Sequence, residues 1–136
     1  MNKNIDQLIE DSKSLLAQLI EIPSLSRQEE STADCISSFL IERGISNNQV
    51  ANNVIAYNKY FDDKKPTILL NSHHDTVKPN PGYTKDPFKA IVEEGKLFGL
   101  GSNDAGGPLV SLIAAFLYYY EVKDLAYNIC LIASAE

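Results

Sequence analysis

Two cysteines are all the sequence has, and they stand far apart, Cys35 in a helical pattern and Cys130 in an apolar stretch. They form neither a disulfide framework nor a cysteine pair at zinc-ligand spacing, so they read as reduced, buried thiols. Long apolar runs are missing too. Residues 1–13 alternate polar and apolar side chains, which excludes a signal-peptide core or a membrane span there and makes a cytoplasmic location with no membrane partner the expectation. Lys and Arg, 12 in all against 18 acidic residues, are scattered through the chain. Without clustering they leave no electrostatic footprint for a nucleic acid or an anionic surface. The net charge of −6 is that of an ordinary solvated acidic surface, although carboxylates gathered for a metal would have the same sign. Internal repeats and low-complexity segments are absent.

What is present is the composition of a folded domain. Hydrophobic residues make up 44% and charged residues 22% of 136 positions, enough for one core that buries roughly two-thirds of the unfolded chain's surface. Ile5, Leu8, Ile9, Leu16, Leu19 and Ile20 recur at helical spacing and predict a helix over residues 4–21, ending before Pro23. Ser26-Arg27-Gln28-Glu29 has capping-box spacing and opens a second helix, with Ala33, Ile36, Phe39 and Leu40 on its apolar side and a stop at Gly44. Asn47 and Asn48 read as a turn, residues 53–57 as a strand, and residues 67–70 as a short strand buried on both faces. Residues 78–95, with three prolines, form a surface excursion, followed by an extended piece at 96–100. Pro108 sits in the first turn of a third, largely apolar helix that ends near Lys123, and residues 127–133 repeat the buried-strand pattern. Helices alternating with apolar strands give an α/β layered fold, with a mixed or largely parallel sheet flanked by helices.

The strand at 67–70 delivers His73-His74-Asp75. In extended backbone, residues i and i+2 share a side, so His73 and Asp75 point together and His74 points away. An imidazole with a carboxylate on its second nitrogen is a metal-ligand arrangement, and the end of a strand in an open α/β sheet is where ligands bind. A lone histidine after a strand is equally a surface or satisfied core residue, so this triplet alone decides nothing. Asp104 lies in Gly99-Leu100-Gly101-Ser102-Asn103-Asp104-Ala105-Gly106-Gly107, whose glycines permit close approach of the backbone to a ligand. Its carboxylate has two oxygens and could bridge two cations; a plain helix cap is the competing reading. The loop matches neither dinucleotide nor P-loop spacing. Ser24, Ser26 and Ser72 lack the setting of a hydrolase nucleophile. Tyr118-Tyr119-Tyr120 reads as packing surface.

Taken in order, these motifs resemble those of the acetylornithine deacetylase, succinyl-diaminopimelate desuccinylase and carboxypeptidase G family of dinuclear zinc, M20-type metallopeptidases. That family runs from an apolar strand into Gly-His-x-Asp, then Asp-Pro-Phe, then Gly-Lys-Leu-Tyr-Gly-x-Gly-x-x-Asp, then a helix and a strand ending in an acidic cluster. Here the corresponding segments are Leu69-Leu70-Asn71-Ser72-His73-His74-Asp75, Asp86-Pro87-Phe88, Gly95-Lys96-Leu97-Phe98-Gly99-Leu100-Gly101-Ser102-Asn103-Asp104, and Leu131-Ile132-Ala133-Ser134-Ala135-Glu136. Ile22-Pro23-Ser24 also resembles the family's short motif after the first helix.

The resemblance implies His73 as a zinc ligand, Asp104 as a bridge between two Zn2+ (or Co2+), Asp75 as the catalytic-site carboxylate that orients His73, and His74 as a bystander. It implies hydrolysis of an amide bond in a small N-acyl amino acid or dipeptide; the segments around Asp86 and Lys96 look most like acetylornithine deacetylase. A metallo-dipeptidase or carboxypeptidase, or a non-catalytic piece with half a site, are the alternatives. Ser72 in place of Gly, and Ala105-Gly106-Gly107 in place of Met-Lys-Gly, depart from the pattern and bear on subfamily more than on metal binding. Glu136 takes the position just before the family's general base, or that of the base itself. Further ligands, the second half of the catalytic domain and an inserted dimerisation domain, giving a homodimer, are expected beyond this chain. Residues 1–136 are thus expected to be the N-terminal part of a catalytic domain, because the chain ends directly after an apolar strand.

Overall fold

In the computed structural model, residues 4–136 are described; Met1, Asn2 and Lys3 of the expected polar N-terminus lie outside them. The first helix, α1 (Ile5–Glu21), starts where Asn4 accepts the amide N–H of Asp6 and ends before Pro23, as its periodicity predicts. Helix α2 (Glu30–Ile41) follows, and Gly44, at φ 73°, turns the chain into β1 (Asn47–Val50). Then come β2 (Asn53–Tyr57), β3 (Thr67–His73), a small hairpin of β4 (Ile91–Glu93) and β5 (Lys96–Phe98), helix α3 (Gly107–Tyr119) and β6 (Asn128–Ser134).

The main sheet is mixed, in the order β1-β2-β6-β3. Only β3 and β6 run parallel. Helix α2 packs on β1 and β2, α3 packs on β3 and β6, and α1 contacts both helices. The core lies between these layers: Leu15, Ile36, Leu40, Leu109, Ile113 and Phe116 from the helices meet Val54, Ala56, Leu131 and Ala133 from the sheet. Cys35 and Cys130 are free thiols, half-buried and buried, and burial raises the pKa of each. Among the described residues no helix is long and apolar enough to cross a membrane.

Three local expectations are corrected. Among the described residues, 67–70 are not buried on both faces: β3 lies at the margin of the sheet, Ile68 and Leu69 are 46% and 55% exposed, and Leu70 alone of the three leucine and isoleucine side chains packs against the core. A run of apolar residues records strand propensity, not the strand's place in the sheet. Asn47 and Asn48 begin a strand instead of a turn, because the Asn47 amide exchanges hydrogen bonds with Ser37 of α2 (2.8 and 3.2 Å) and is not used to bend its own backbone. Finally, Ser26 and Glu29 form no capping box. Glu29 precedes α2 without a side-chain cap, and its carboxylate turns back to accept the Arg27 N–H at 2.6 Å.

Asp11 of α1 is paired with Arg43 at 3.0 Å, both about a quarter exposed. Burial raises the Asp11 pKa, but hydrogen bonds from Gln7 and Arg43 and the Arg43 charge outweigh it and leave the carboxyl below its usual value. A depressed folded pKa adds stability above the unfolded value, lost as pH falls through the folded one. Asp11→Asn is therefore expected to lower stability by about 0.3–1 kcal/mol at neutral pH, and in urea unfolding the difference from wild type should shrink as pH falls below the ordinary carboxyl range.

Candidate metal centre

His73 is the last residue of β3, and the strand ladder sets it opposite Ser134 near the end of β6. The amide of His74 continues the ladder by donating to the Ser134 carbonyl at 3.0 Å. Residues 24–26 then lie alongside residues 74–76: the Thr76 N–H donates to Ser24 O at 2.7 Å and the Ser26 N–H to Thr76 O at 3.2 Å. This short parallel contact fixes the backbone that carries Asp75.

Asp104 comes from the other side, at a kink within residues Ser102–Gly106 ahead of α3, where its own backbone is extended (φ −125°, ψ 92°) and not helical. Its following peptide bond is cis. The glycines flanking it are required by packing within the chain. Gly101 has φ 76°, and a Cβ there would stand 2.6 Å from Thr76 Cγ2; one on Gly106 would stand 2.6 Å from Leu16 Cδ1. They let the loop press against α1 and the His73 loop, and so hold the Asp104 backbone close to β3.

The side chains converge as the i, i+2 spacing predicts. His73 Nδ1 lies 3.1 Å from Asp75 Oδ1 and 3.2 Å from Asp75 O, while Nε2 lies 3.0 Å from Asp104 Oδ1. Asp104 is 90% exposed and Asp75 only 21%, so one carboxylate faces solvent and the other supports the ring from inside. Burial pulls the His73 pKa down, but the hydrogen bonds to Asp104 and Asp75 and the two carboxylate charges outweigh it and raise the ring above its usual value. Both ring nitrogens face oxygen acceptors, and a neutral imidazole has one N–H for the two of them. Either a second proton or a cation at Nε2 satisfies this arrangement, and an imidazole nitrogen with an exposed carboxylate oxygen is a fitting donor pair for a divalent metal. Among the described residues no group of three or more His, Cys, Asp and Glu forms a complete ligand set.

His74 points away from this pair, as expected, but it is not idle. It is buried, with Nδ1 2.8 Å from Thr32 Oγ1 and Nε2 2.9 Å from Asn52 O, and burial lowers its pKa. Beside it Glu29 is fully buried. Its carboxylate accepts from Arg27 N, from Asn52 Nδ2 at 3.2 Å and from Glu136 N at 3.4 Å. The spacing of the sequence shows neither role; nor does it show Ser26, whose hydroxyl donates to Asp75 Oδ2 at 3.0 Å.

His73, Asp75 and Asp104 line one cleft of about 480 Å³. Tyr83, Pro87, Phe98 and Leu100 add apolar surface to its lining, and the Lys85 ammonium stands over the Phe98 ring.

Residues 69–136, half of the chain, match the model for peptidase family M20/M25/M40. The chain belongs to this family. Among curated relatives, it is 31% identical over 116 residues to a succinyl-diaminopimelate desuccinylase of Blochmanniella floridana, covering 79% of this chain and 30% of that protein. It is likewise 31% identical over 131 residues to an acetylornithine deacetylase of Buchnera aphidicola subsp. Schizaphis graminum, covering 87% and 34%. The M20/M25/M40 chain thus spans about a third of the length of these relatives. Its fold is that of the M20 family metallo-carboxypeptidase Sso-CP2 from Sulfolobus solfataricus, with a TM-score of 0.78 at 22% identity over 93% of this chain and 31% of the other. The layered arrangement of mixed sheet and helices is therefore the family's own.

Proposed function

We propose that this chain carries the first part of the active site of a metal-dependent amidohydrolase, and that residues 1–136 are the N-terminal part of its catalytic domain. The observation that supports this most directly is His73 Nε2 facing Asp104 Oδ1 at 3.0 Å, with Asp75 behind the ring. His73 and Asp104 would hold the metal, Asp104 bridging two ions; Asp75 accepts the Nδ1 proton, fixes the tautomer and keeps Nε2 free for ligation. Zinc, or cobalt in its place, would supply Lewis acidity toward a scissile carbonyl and lower the pKa of water. Two side chains do not fill the shell of even one zinc, so the remaining ligands would come from outside these residues. By the family pattern, Glu136 would take the position just before the glutamate that moves the proton, or that of this glutamate itself, and its N–H is held by the Glu29 carboxylate.

The substrate we favour is a small N-acyl amino acid of the acetylornithine kind, which would place the protein in amino-acid (arginine) biosynthesis in the cytoplasm, as a homodimer at full length. A dipeptidase or carboxypeptidase is the second reading. The apolar lining of Tyr83, Pro87, Phe98 and Leu100 favours it, because such a surface suits a peptide side chain. Hydrolysis of N-acetylornithine, N-succinyl-diaminopimelate and an aromatic dipeptide by the full-length protein, with and without chelator, separates these. Metal-dependent cleavage of at least one of them is expected. Bound metal with no cleavage of any amide would leave a non-catalytic metal site and overturn the proposal.

A further inference from the structure

We propose that Ser26 is a positioning residue of the metal centre, acting through Asp75 on His73; this rests on the reading of His73 as a ligand given above. Asp75 receives two hydrogen bonds on two different oxygens. His73 Nδ1 is on Oδ1 at 3.1 Å, and the Ser26 hydroxyl is on Oδ2 at 3.0 Å. A carboxylate held on one oxygen alone can swing about its Cβ–Cγ bond and take its hydrogen-bonded ring with it. A second donor on the opposite oxygen removes that freedom, and so sets the plane of the imidazole and the direction of Nε2.

The donor is itself fixed from both sides. Leu25 and Thr76 form a parallel bridge, flanked by the Thr76 N–H on Ser24 O and the Ser26 N–H on Thr76 O. The segment between α1 and α2 therefore brings one hydroxyl to the far side of Asp75 in a single register. Ser24, two residues earlier, provides the contrast. Its hydroxyl is buried and donates to the backbone carbonyl of His74 at 2.9 Å, so it supports the strand end without touching Asp75.

The test compares Ser26→Ala, Ser26→Thr and Ser24→Ala in three measurements on the full-length protein: the 15N and 1H signals of the His73 ring without metal, the affinity for zinc by titration calorimetry, and the midpoint of urea unfolding. Ser26→Ala is expected to lose the protected Nδ1–H signal of His73 and to bind zinc about ten- to a hundred-fold more weakly, with an unfolding midpoint near that of wild type. Ser26→Thr keeps a hydroxyl in place and should restore ring signal and affinity. Ser24→Ala should lower the midpoint and leave the ring signal intact. The proposal is overturned if Ser26→Ala keeps the wild-type ring signal and zinc affinity, or if ring signal and affinity in all three variants merely track the unfolding midpoint. Should wild type bind no zinc while Ser26→Ala alone releases the ring, Ser26 stands as the positioning residue and the metal reading falls.

Discussion

In the full-length protein, replacement of Asp104 by asparagine is expected to weaken zinc binding about 100-fold or more, with the unfolding midpoint of the metal-free form almost unchanged. The two halves of this expectation have separate causes. Asparagine keeps the size of aspartate but removes its charge and one of the two equivalent oxygens that a bridging ligand needs. A factor of 100 corresponds to about 2.7 kcal/mol of binding free energy, a modest figure for losing a charged ligand. The fold, by contrast, gains little from Asp104, which is 90% exposed with His73 Nε2 as its partner. A surface substitution of that kind shifts stability by about 0.5 kcal/mol. Calorimetric zinc titration beside urea unfolding checks both halves. Equal losses in affinity and stability would make Asp104 a structural residue of the loop, the helix-cap reading its position also allows.

The opposite pattern is expected at Glu29. Glu29→Ala should lower stability by about 2–4 kcal/mol, the largest effect on folding of the substitutions considered. This carboxylate is fully buried, and it accepts hydrogen bonds from the Arg27 N–H at 2.6 Å, the Asn52 amide at 3.2 Å and the Glu136 N–H at 3.4 Å. Truncation removes both acceptor oxygens, strips three donors of this partner and leaves a cavity beside His74 and Thr32, where water has little access. The three donors come from the entry to α2, the β1–β2 turn and the residues after β6, so their loss loosens three parts of the chain at once. Arg27, at φ 71°, holds a strained turn that its bond to Glu29 helps to maintain. Denaturant unfolding of Glu29→Ala and wild type gives the difference; a loss under about 0.5 kcal/mol would mean that water or neighbouring side chains replace the carboxylate.

The convergence of His73, Asp75 and Asp104 was more legible in the sequence than its supports. The i, i+2 rule puts His73 and Asp75 on one side because it needs nothing but extended backbone, which the His74–Ser134 hydrogen bond and the Leu25–Thr76 bridge continue past the end of β3. Asp104 could be singled out by its glycine-rich setting ahead of an apolar helix, but the purpose of the glycines could not. Their Cβ positions collide with Thr76 and Leu16, neighbours 25 and 90 residues away in the chain, and local sequence does not encode such approaches. Ser26 and Glu29 were misread for the same reason. Spaced three apart, they fit a capping box locally, whereas tertiary partners, Asp75 for one and Asn52 for the other, claim both side chains. Helices α1 and α3 announced themselves through periodicity and proline. The edge position of β3 did not, because Ile68-Leu69-Leu70 reads alike in the centre of a sheet and at its margin.

The central claim is that His73 and Asp104 share one cation, with Asp75 behind the ring. Anomalous diffraction from crystals of zinc-loaded protein, recorded on both sides of the zinc absorption edge, tests it most directly. The account predicts an anomalous peak bonded to His73 Nε2 and an Asp104 oxygen, with His73 Nδ1 still on Asp75. Zinc at stoichiometric content bound elsewhere, with the direct His73–Asp104 hydrogen bond intact, would contradict it.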